Sequence, residues 1–235
     1  MASLKNPLIM MKEDINRSLR KRVKDREWAM VVDTRKCVGC HACTVSCKAE
    51  NVTPPGVDYR NVPEVETGEY PEVERYFMPR NCMQCKNPPC LKACPQSAIY
   101  IRADGIVGID YRRCKNCEGE AIQACPYDAL FHDDGSFYTD GMPGGIQQYE
   151  FSFAYDYNSE WTRRGGKTPV GSCRKCHFCL HRLEKGLLPA CVGTCIGQAM
   201  YFGDLKDPDS LISGLLKTGR WIRLEKGLST APHVY

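Results

Sequence analysis

The sequence predicts an α+β chain of short strands, short helices and long loops, built as two tandem units of one small repeated module. Three observations carry that prediction. Sixteen cysteines stand among 235 residues, several times ordinary usage. They fall into four spaced groups, each opening on C-x-x-C, so repetition organises the whole chain. Between the groups run short β-prone stretches rather than long periodic helices.

Composition bounds the rest. With 43% apolar residues the chain can bury a core. Thirty-two basic against 28 acidic side chains leave a net charge of +4, too small a surplus to argue for nucleic acid. No apolar run approaches the roughly 18 residues that a bilayer span needs. The first 28 residues lack the apolar middle of a secretory signal, so no export signal of the chain's own is expected. The stretch RSLRKRVKDR (Arg17 to Arg26) lacks the Arg-Arg pair of a twin-arginine leader and reads as a solvated basic arm or helix within 1–28.

The first group is Cys37, Cys40, Cys43 and Cys47 (CVGCHACTVSC) and the second is Cys82, Cys85, Cys90 and Cys94 (CMQCKNPPCLKACP). The third is Cys114, Cys117 and Cys125 (CKNCEGEAIQACP), the fourth Cys176, Cys179, Cys191 and Cys195, and Cys173 is left over. Three thiolates in tight succession can hold three irons of one cube, because a short loop turns its sulfurs and amides inward. A fourth cysteine three residues on points elsewhere. This is the bacterial ferredoxin pattern C-x2-C-x2-C-x3-C-P, whose last cysteine ligates the other cluster of a pair. Pro95 and Pro126 follow Cys94 and Cys125 as the pattern requires.

Two plainer explanations fail. A zinc knuckle from Cys82/Cys85 with Cys114/Cys117 leaves Cys90, Cys94 and Cys125 without a purpose. A disulfide scaffold belongs to short exported chains.

Between groups two and three, AIYIRADGIVGIDYRRC reads as two strands, Ile99 to Arg102 and Ile106 to Ile109, joined around Asp104-Gly105. This hairpin makes residues 80–130 an inner ferredoxin-like unit. Groups one and four are then left to pair as a discontinuous outer unit (29–79 with 170–205), completed by the β-prone runs Met30 to Val32 and Ala199 to Phe202. An aromatic and Gly-rich insertion (131–169) and a C-terminal tail (206–235) complete the chain. In the insertion Tyr149, Phe151, Phe153, Tyr155 and Tyr157 alternate, which predicts a strand with one aromatic face, either covering the cluster core or docking a partner. Trp28 and Trp161 are read as packing residues rather than electron stepping stones.

The segments KCVGCHAC, NVTPPGVDYRNVPEVETGEYPEV, CMQCKNPPCLKACP, CPYDA and KCHFCLHRLEKGLLPACVGTC followed by GDL carry a closer likeness. Over nearly its whole length the chain resembles the four-cluster iron–sulfur subunit of complex iron–sulfur molybdoenzymes, the dimethyl sulfoxide, polysulfide, arsenate and nitrate reductase type. The resemblance implies one cluster on Cys37, Cys40, Cys43 and Cys195, and a second on Cys176, Cys179, Cys191 and Cys47. It implies a third on Cys82, Cys85, Cys90 and Cys125, and a fourth on Cys114, Cys117 and Cys94.

At the fourth site the chain departs from the pattern, because Ala121 stands where a third local cysteine belongs. Three outcomes stay open: a [3Fe-4S] cluster, a cubane completed by water or by Glu118 or Glu120, or recruitment of Cys173. The expected set is three [4Fe-4S] clusters and one [3Fe-4S] or atypically ligated [4Fe-4S] cluster, with Cys173 a buried or free thiol. Loss of a thiolate should raise the site's potential within the range of about −700 to +450 mV that such clusters span. His177 and His181 are expected to pack or hydrogen-bond, and Lys36, Lys86, Lys115, Arg112 and Arg113 to offset cluster charge.

Nothing in the chain resembles a dinucleotide loop, a nucleophile with its base, or an open substrate metal site. The resemblance implies a non-catalytic subunit of anaerobic respiration without a small-molecule substrate of its own. It would relay single electrons between a molybdopterin- or tungstopterin-type catalytic subunit and a membrane anchor, quinone-reactive or cytochrome subunit, at the periplasmic face by co-export. The alternative is a polyferredoxin of a hydrogenase or formate dehydrogenase complex. A more distant one is an enzyme using an open iron at the Ala121 gap.

Overall fold

The structure is a computed structural model, and it describes residues 6–115, 117, 119–151, 154–156, 159–161, 169–224, 227 and 229–235. Among these residues every sheet has two strands, and the longest helix, Pro7–Leu19, has 13 residues. No described helix is long and apolar enough to cross a membrane. The architecture is mixed α and β, with short elements on long loops.

The strand Trp28–Val32 pairs antiparallel with Met200–Asp204, Met30 opposite Phe202. This ties the chain just before the first cysteine group to the chain just after the fourth. Trp28 stacks on Phe202 at 5.6 Å and Phe178 meets the same ring edge-on at 5.1 Å, so aromatic packing closes this half. The helix Ala42–Asn51, which carries Cys43 and Cys47, packs against Ala190–Gly193, which carries Cys191.

The other hairpin pairs Ile99–Ile101 with Val107–Ile109. Gly105 sits at φ +86° in its turn, where a β-carbon would be strained. Beside it the helices Pro89–Ala93 and Glu120–Gln123 pack together. The two halves meet through Gln84, which is fully buried. Its Oε1 accepts from Val107 N–H at 2.8 Å and its Nε2 donates to the Cys176 carbonyl at 2.6 Å.

Both ends of the chain pack into this body. The basic N-terminal stretch begins as the helix Pro7–Leu19, capped by Asn6, and it buries Met11 and Ile15. Of the two readings, arm or helix, the helix forms as far as Leu19, and the i, i+4 pair of apolar side chains ahead of the basic residues seats it on the Met200–Asp204 strand, while Arg17, Arg20, Arg22 and Lys24 stay exposed. The C-terminus does not trail as a tail. After the helix Leu211–Lys217, residues 230–235 return to bond the loop of the second cysteine group, with Lys86 and His233 N–H donating to Ala231 and Met83 carbonyls. The last residues then run beside Trp28–Val32, where Met30 bridges Val234.

The alternating aromatic stretch does not form the single strand that its pattern predicts. Gln148–Phe151 is a 3-10 turn, because the Glu150 carboxylate accepts the N–H groups of Tyr138 and Thr139 and pulls the backbone inward. Among the described residues of this stretch Ala154–Asp156 is strand, paired with Ser159–Trp161, while Phe153 and Tyr157 lie outside the described residues.

Candidate metal centres

Each cysteine loop uses the same local geometry. The third cysteine of a group is the second residue of a short helix: Cys43 in Ala42–Asn51, Cys90 in Pro89–Ala93 and Cys191 in Ala190–Gly193. Ala121 holds that same position in Glu120–Gln123, so it occupies the third-ligand place structurally as well as in sequence.

The last cysteine of three groups is followed by a left-handed residue three positions on, at Ser97, Asp128 and Gln198 (φ 48°, 52° and 47°). That turn aims the next N–H back at the sulfur. Ala98, Ala129 and Ala199 donate to Sγ of Cys94, Cys125 and Cys195 at 3.4, 3.5 and 3.2 Å. Such bonds favour the thiolate, the form that binds iron. Cys47 differs because its helix continues. There Asn51, one turn on, directs its side-chain amide at Cys47 Sγ (3.5 Å) and Cys179 Sγ (3.9 Å).

The fold brings the cysteines together in four sets. Cys37, Cys40, Cys43 and Cys195 line one cavity, and Cys82, Cys85, Cys90 and Cys125 line another. Cys47, Cys176, Cys179 and Cys191 converge in the interior. Burial first, then the sulfurs of Cys179, Cys176 and Cys191, push the Cys47 thiol well above its ordinary pKa. Cys94, Cys114 and Cys117 line a fourth cavity of about 270 Å³, together with Glu120, Ala121 and Cys173. The zinc knuckle would need the Cys82/Cys85 and Cys114/Cys117 pairs in one place, and they line different cavities.

The sets adjoin in a fixed order. The helix Ala42–Asn51, with Cys43, packs on Ala190–Gly193, with Cys191, which links the first set to the interior one. Asn81 directs its side-chain amide at the Cys82 carbonyl (2.8 Å) and at Cys176 Sγ (3.9 Å), which links the interior set to the third, and burial, Cys191 and then Cys82 push the Cys176 thiol up to about 12. Cys90 is the second residue of the helix Pro89–Ala93 and Cys94 caps its end, which links the third to the fourth. At one extreme Cys40 is exposed, as are Val38, next to Cys37, and Ile196, next to Cys195 in the sequence.

Whether these residues fit anionic clusters is answered by Arg60. Its side chain is buried, and Nη2 donates to Cys191 Sγ at 3.3 Å and Met30 Sδ at 3.0 Å, while Nε and Nη1 find no partner among the described residues. A buried guanidinium among sulfurs is costly unless negative charge stands beside it, and thiolate-bound iron–sulfur clusters supply that charge. Burial alone would lower the Arg60 pKa, yet Cys191, Cys43 and Cys176 raise it above its usual value. The donor set fits the group.

Sequence reasoning missed Arg60, Arg174 and Lys175, all fully buried. Lys175 donates to the Cys176 and Val107 carbonyls at the junction of the two halves. Of the charges singled out instead, Arg112 is exposed and bonds Asp110, whereas Lys36 lines the cavity of the first cysteine set and bonds the Tyr201 hydroxyl. His177 accepts from Leu180 N–H at 3.1 Å and His181 meets Glu50 at 2.7 Å, so neither reaches a ligand position. Cys173 is not free: it is disulfide-bonded to Cys117. Glu118 lies outside the described residues.

A family model described as a 4Fe-4S dicluster domain matches residues 73–140 and 164–205. The chain is 50% identical over 228 residues to a selenate reductase subunit of Mesobacillus selenatarsenatis, covering 97% of this chain and 77% of that protein. It is 39% identical over 214 residues to a tetrathionate reductase subunit of Salmonella typhimurium, covering 88% and 71%. It is 32% identical over 220 residues to the arsenate respiratory reductase iron–sulfur subunit of a Shewanella strain, covering 88% and 94%. The dicluster match and alignment over 88–97% of the chain give one conclusion: the chain belongs to the family of iron–sulfur subunits of complex iron–sulfur molybdoenzymes, which transfer electrons and leave catalysis to another subunit.

Proposed function

We propose that the chain relays single electrons through four iron–sulfur clusters between a molybdopterin-type catalytic subunit and a quinone-reactive or cytochrome subunit in the membrane. The observation that carries this reading is the adjacency of the four thiol sets, through the packing of the helices that carry Cys43 and Cys191, through Asn81 between Cys82 and Cys176, and through the helix that joins Cys90 to Cys94. Bound clusters would accept and release one electron each, at potentials set by their ligands and by hydrogen bonds to sulfur.

The ligand sets are those in which the fold gathers the thiols: Cys37, Cys40, Cys43 with Cys195; Cys47 with Cys176, Cys179, Cys191; Cys82, Cys85, Cys90 with Cys125; and Cys94, Cys114 with Cys117. Two tandem ferredoxin-like units, 80–130 and 29–79 with 170–205, follow from that pairing. The chain's own part is to hold thiolates ready, to place Arg60 and Lys175 against the anionic centres, and to exclude water. Relatives named for selenate and tetrathionate reductases weigh for a molybdoenzyme partner over a hydrogenase or formate dehydrogenase one. Membrane association would come through the partner subunits, at the periplasmic face.

The test is interruption of the relay in the assembled complex. Cys82→Ser should leave substrate reduction by a small artificial donor at the catalytic subunit intact while abolishing reduction driven by quinol. Equal loss of both activities, with the complex still assembled, would contradict a relay role.

A further inference from the structure

The gap at Ala121 leaves the fourth cavity one thiolate short, and the fold places Cys173 there. Three consecutive residues dock on the third cysteine loop. The Gly171 carbonyl accepts from Cys117 N–H at 3.0 Å, the Ser172 hydroxyl donates to the Cys114 carbonyl, and Cys173 N–H donates to Cys114 Sγ at 3.4 Å. Cys173 is 2% exposed, lines the same cavity as Cys94, Cys114 and Cys117, and stands 5.8 Å from Cys117 between α-carbons.

The next residue explains why this position is fixed. Arg174 is fully buried and pairs with Asp133 at 3.1 Å, and it also donates to the Tyr59 hydroxyl and the Asn51 carbonyl, each at 3.0 Å. Cys173–Arg174 pairs as a strand with Phe131–His132. The chain just beyond the 131–169 insertion is thus clamped to the body, with the Cys173 side chain at the cavity. Glu120, the carboxylate that also lines it, belongs to an exposed residue.

We propose that Cys173 is the fourth thiolate of the cluster held by Cys94, Cys114 and Cys117, supplied from just beyond the insertion in place of the cysteine missing at Ala121, so that this site holds a [4Fe-4S] cubane. The inference rests on the cluster reading above and deepens it. Cluster insertion needs both partners of the Cys117–Cys173 disulfide as thiolates. A thiol reductant supplies the two electrons: two of its thiols become one disulfide, and the protein S–S bond becomes two thiols, which release their protons to iron loading.

The experiment is anaerobic reconstitution of the full chain, as wild type, Cys173→Ser and Glu120→Gln, with iron counted per chain and EPR recorded before and after reduction. The expected wild type holds about sixteen irons and lacks the oxidised-state signal of a three-iron cluster. Cys173→Ser should lose about one iron and gain that signal at roughly one spin per chain, while Glu120→Gln matches wild type. A wild type that already shows the three-iron signal, or a Glu120→Gln variant that gains it while Cys173→Ser does not, overturns the inference. Should Cys173→Ser fail to fold, the wild-type spectrum and Glu120→Gln still decide. A chain that takes up zinc and no iron fails the cluster reading itself, a different outcome from a three-iron wild type.

Discussion

The guanidinium of Arg60 lies 3.3 Å from the sulfur of Cys191, buried where the first cysteine set meets the interior one. A fixed positive charge there stabilises the reduced, more negative state of whatever the sulfurs hold. Arg60→Gln should therefore lower the potential of a cluster at Cys191 by roughly 60 mV, a tenfold change in the one-electron equilibrium. Arg60→Lys, which keeps the charge, should shift it less. Potentiometric EPR titration of the two variants checks both the direction and the order.

Cross-pairing of the groups can be separated from local pairing by single substitutions. Cys47→Ser should remove the cluster built on Cys176, Cys179 and Cys191, and leave the one on the loop that contains Cys47. Cys195→Ser should do the converse. Mapping which spectrum disappears against the Arg60→Gln shift identifies the site lost. Loss of the local cluster in each case would contradict the placement of Cys47 among Cys179, Cys176 and Cys191.

The ion pair of Arg174 and Asp133 has no exposed side chain, so removing one partner strands a buried charge. Asp133→Ala should cost about 3–5 kcal/mol and lower Tm on the order of 10 °C. Because Arg174 adjoins Cys173, the iron count at the fourth site should fall before that at the others. Thermal unfolding with parallel iron assay measures both.

Burial, with Cys82 and Cys90 adding to it, pushes the Cys85 thiol up to about 12, and burial with Cys82 likewise raises Cys90 to about 12. In the metal-free chain these groups are protonated at neutral pH, so iron must displace their protons. Loading should release about one proton per ligand thiol and become more favourable as pH rises from about 7 to 9. A dye-monitored reconstitution in weak buffer reads the protons released directly.

Elements that depend on local chemistry were legible in the sequence. The Ile99–Ile101 and Val107–Ile109 hairpin follows from β-branched runs around Asp104-Gly105, and the cysteine spacing groups the thiols into sets. Pairing of Trp28–Val32 with Met200–Asp204 was also within reach, because two groups lacked neighbours. What escaped depends on distant contacts. Met11 and Ile15 look like scattered apolar residues in a basic stretch until the strand beneath them exists. Arg60 and Arg174 read as ordinary surface charges, since nothing local marks them as facing sulfur or Asp133. The one available signal was position: Arg174 and Lys175 stand wedged between Cys173 and Cys176. Gln148–Phe151 turned because the Glu150 carboxylate found backbone donors at Tyr138 and Thr139, a contact that alternation alone cannot express.

The most direct measurement of the relay is a mediated redox titration of the anaerobically purified chain, followed by EPR with iron and zinc quantified on the same sample. Four one-electron transitions with about fifteen or sixteen irons and no zinc are the expected result. Fewer than four transitions in a fully loaded chain, or zinc in place of iron, would contradict a four-cluster electron-transfer subunit.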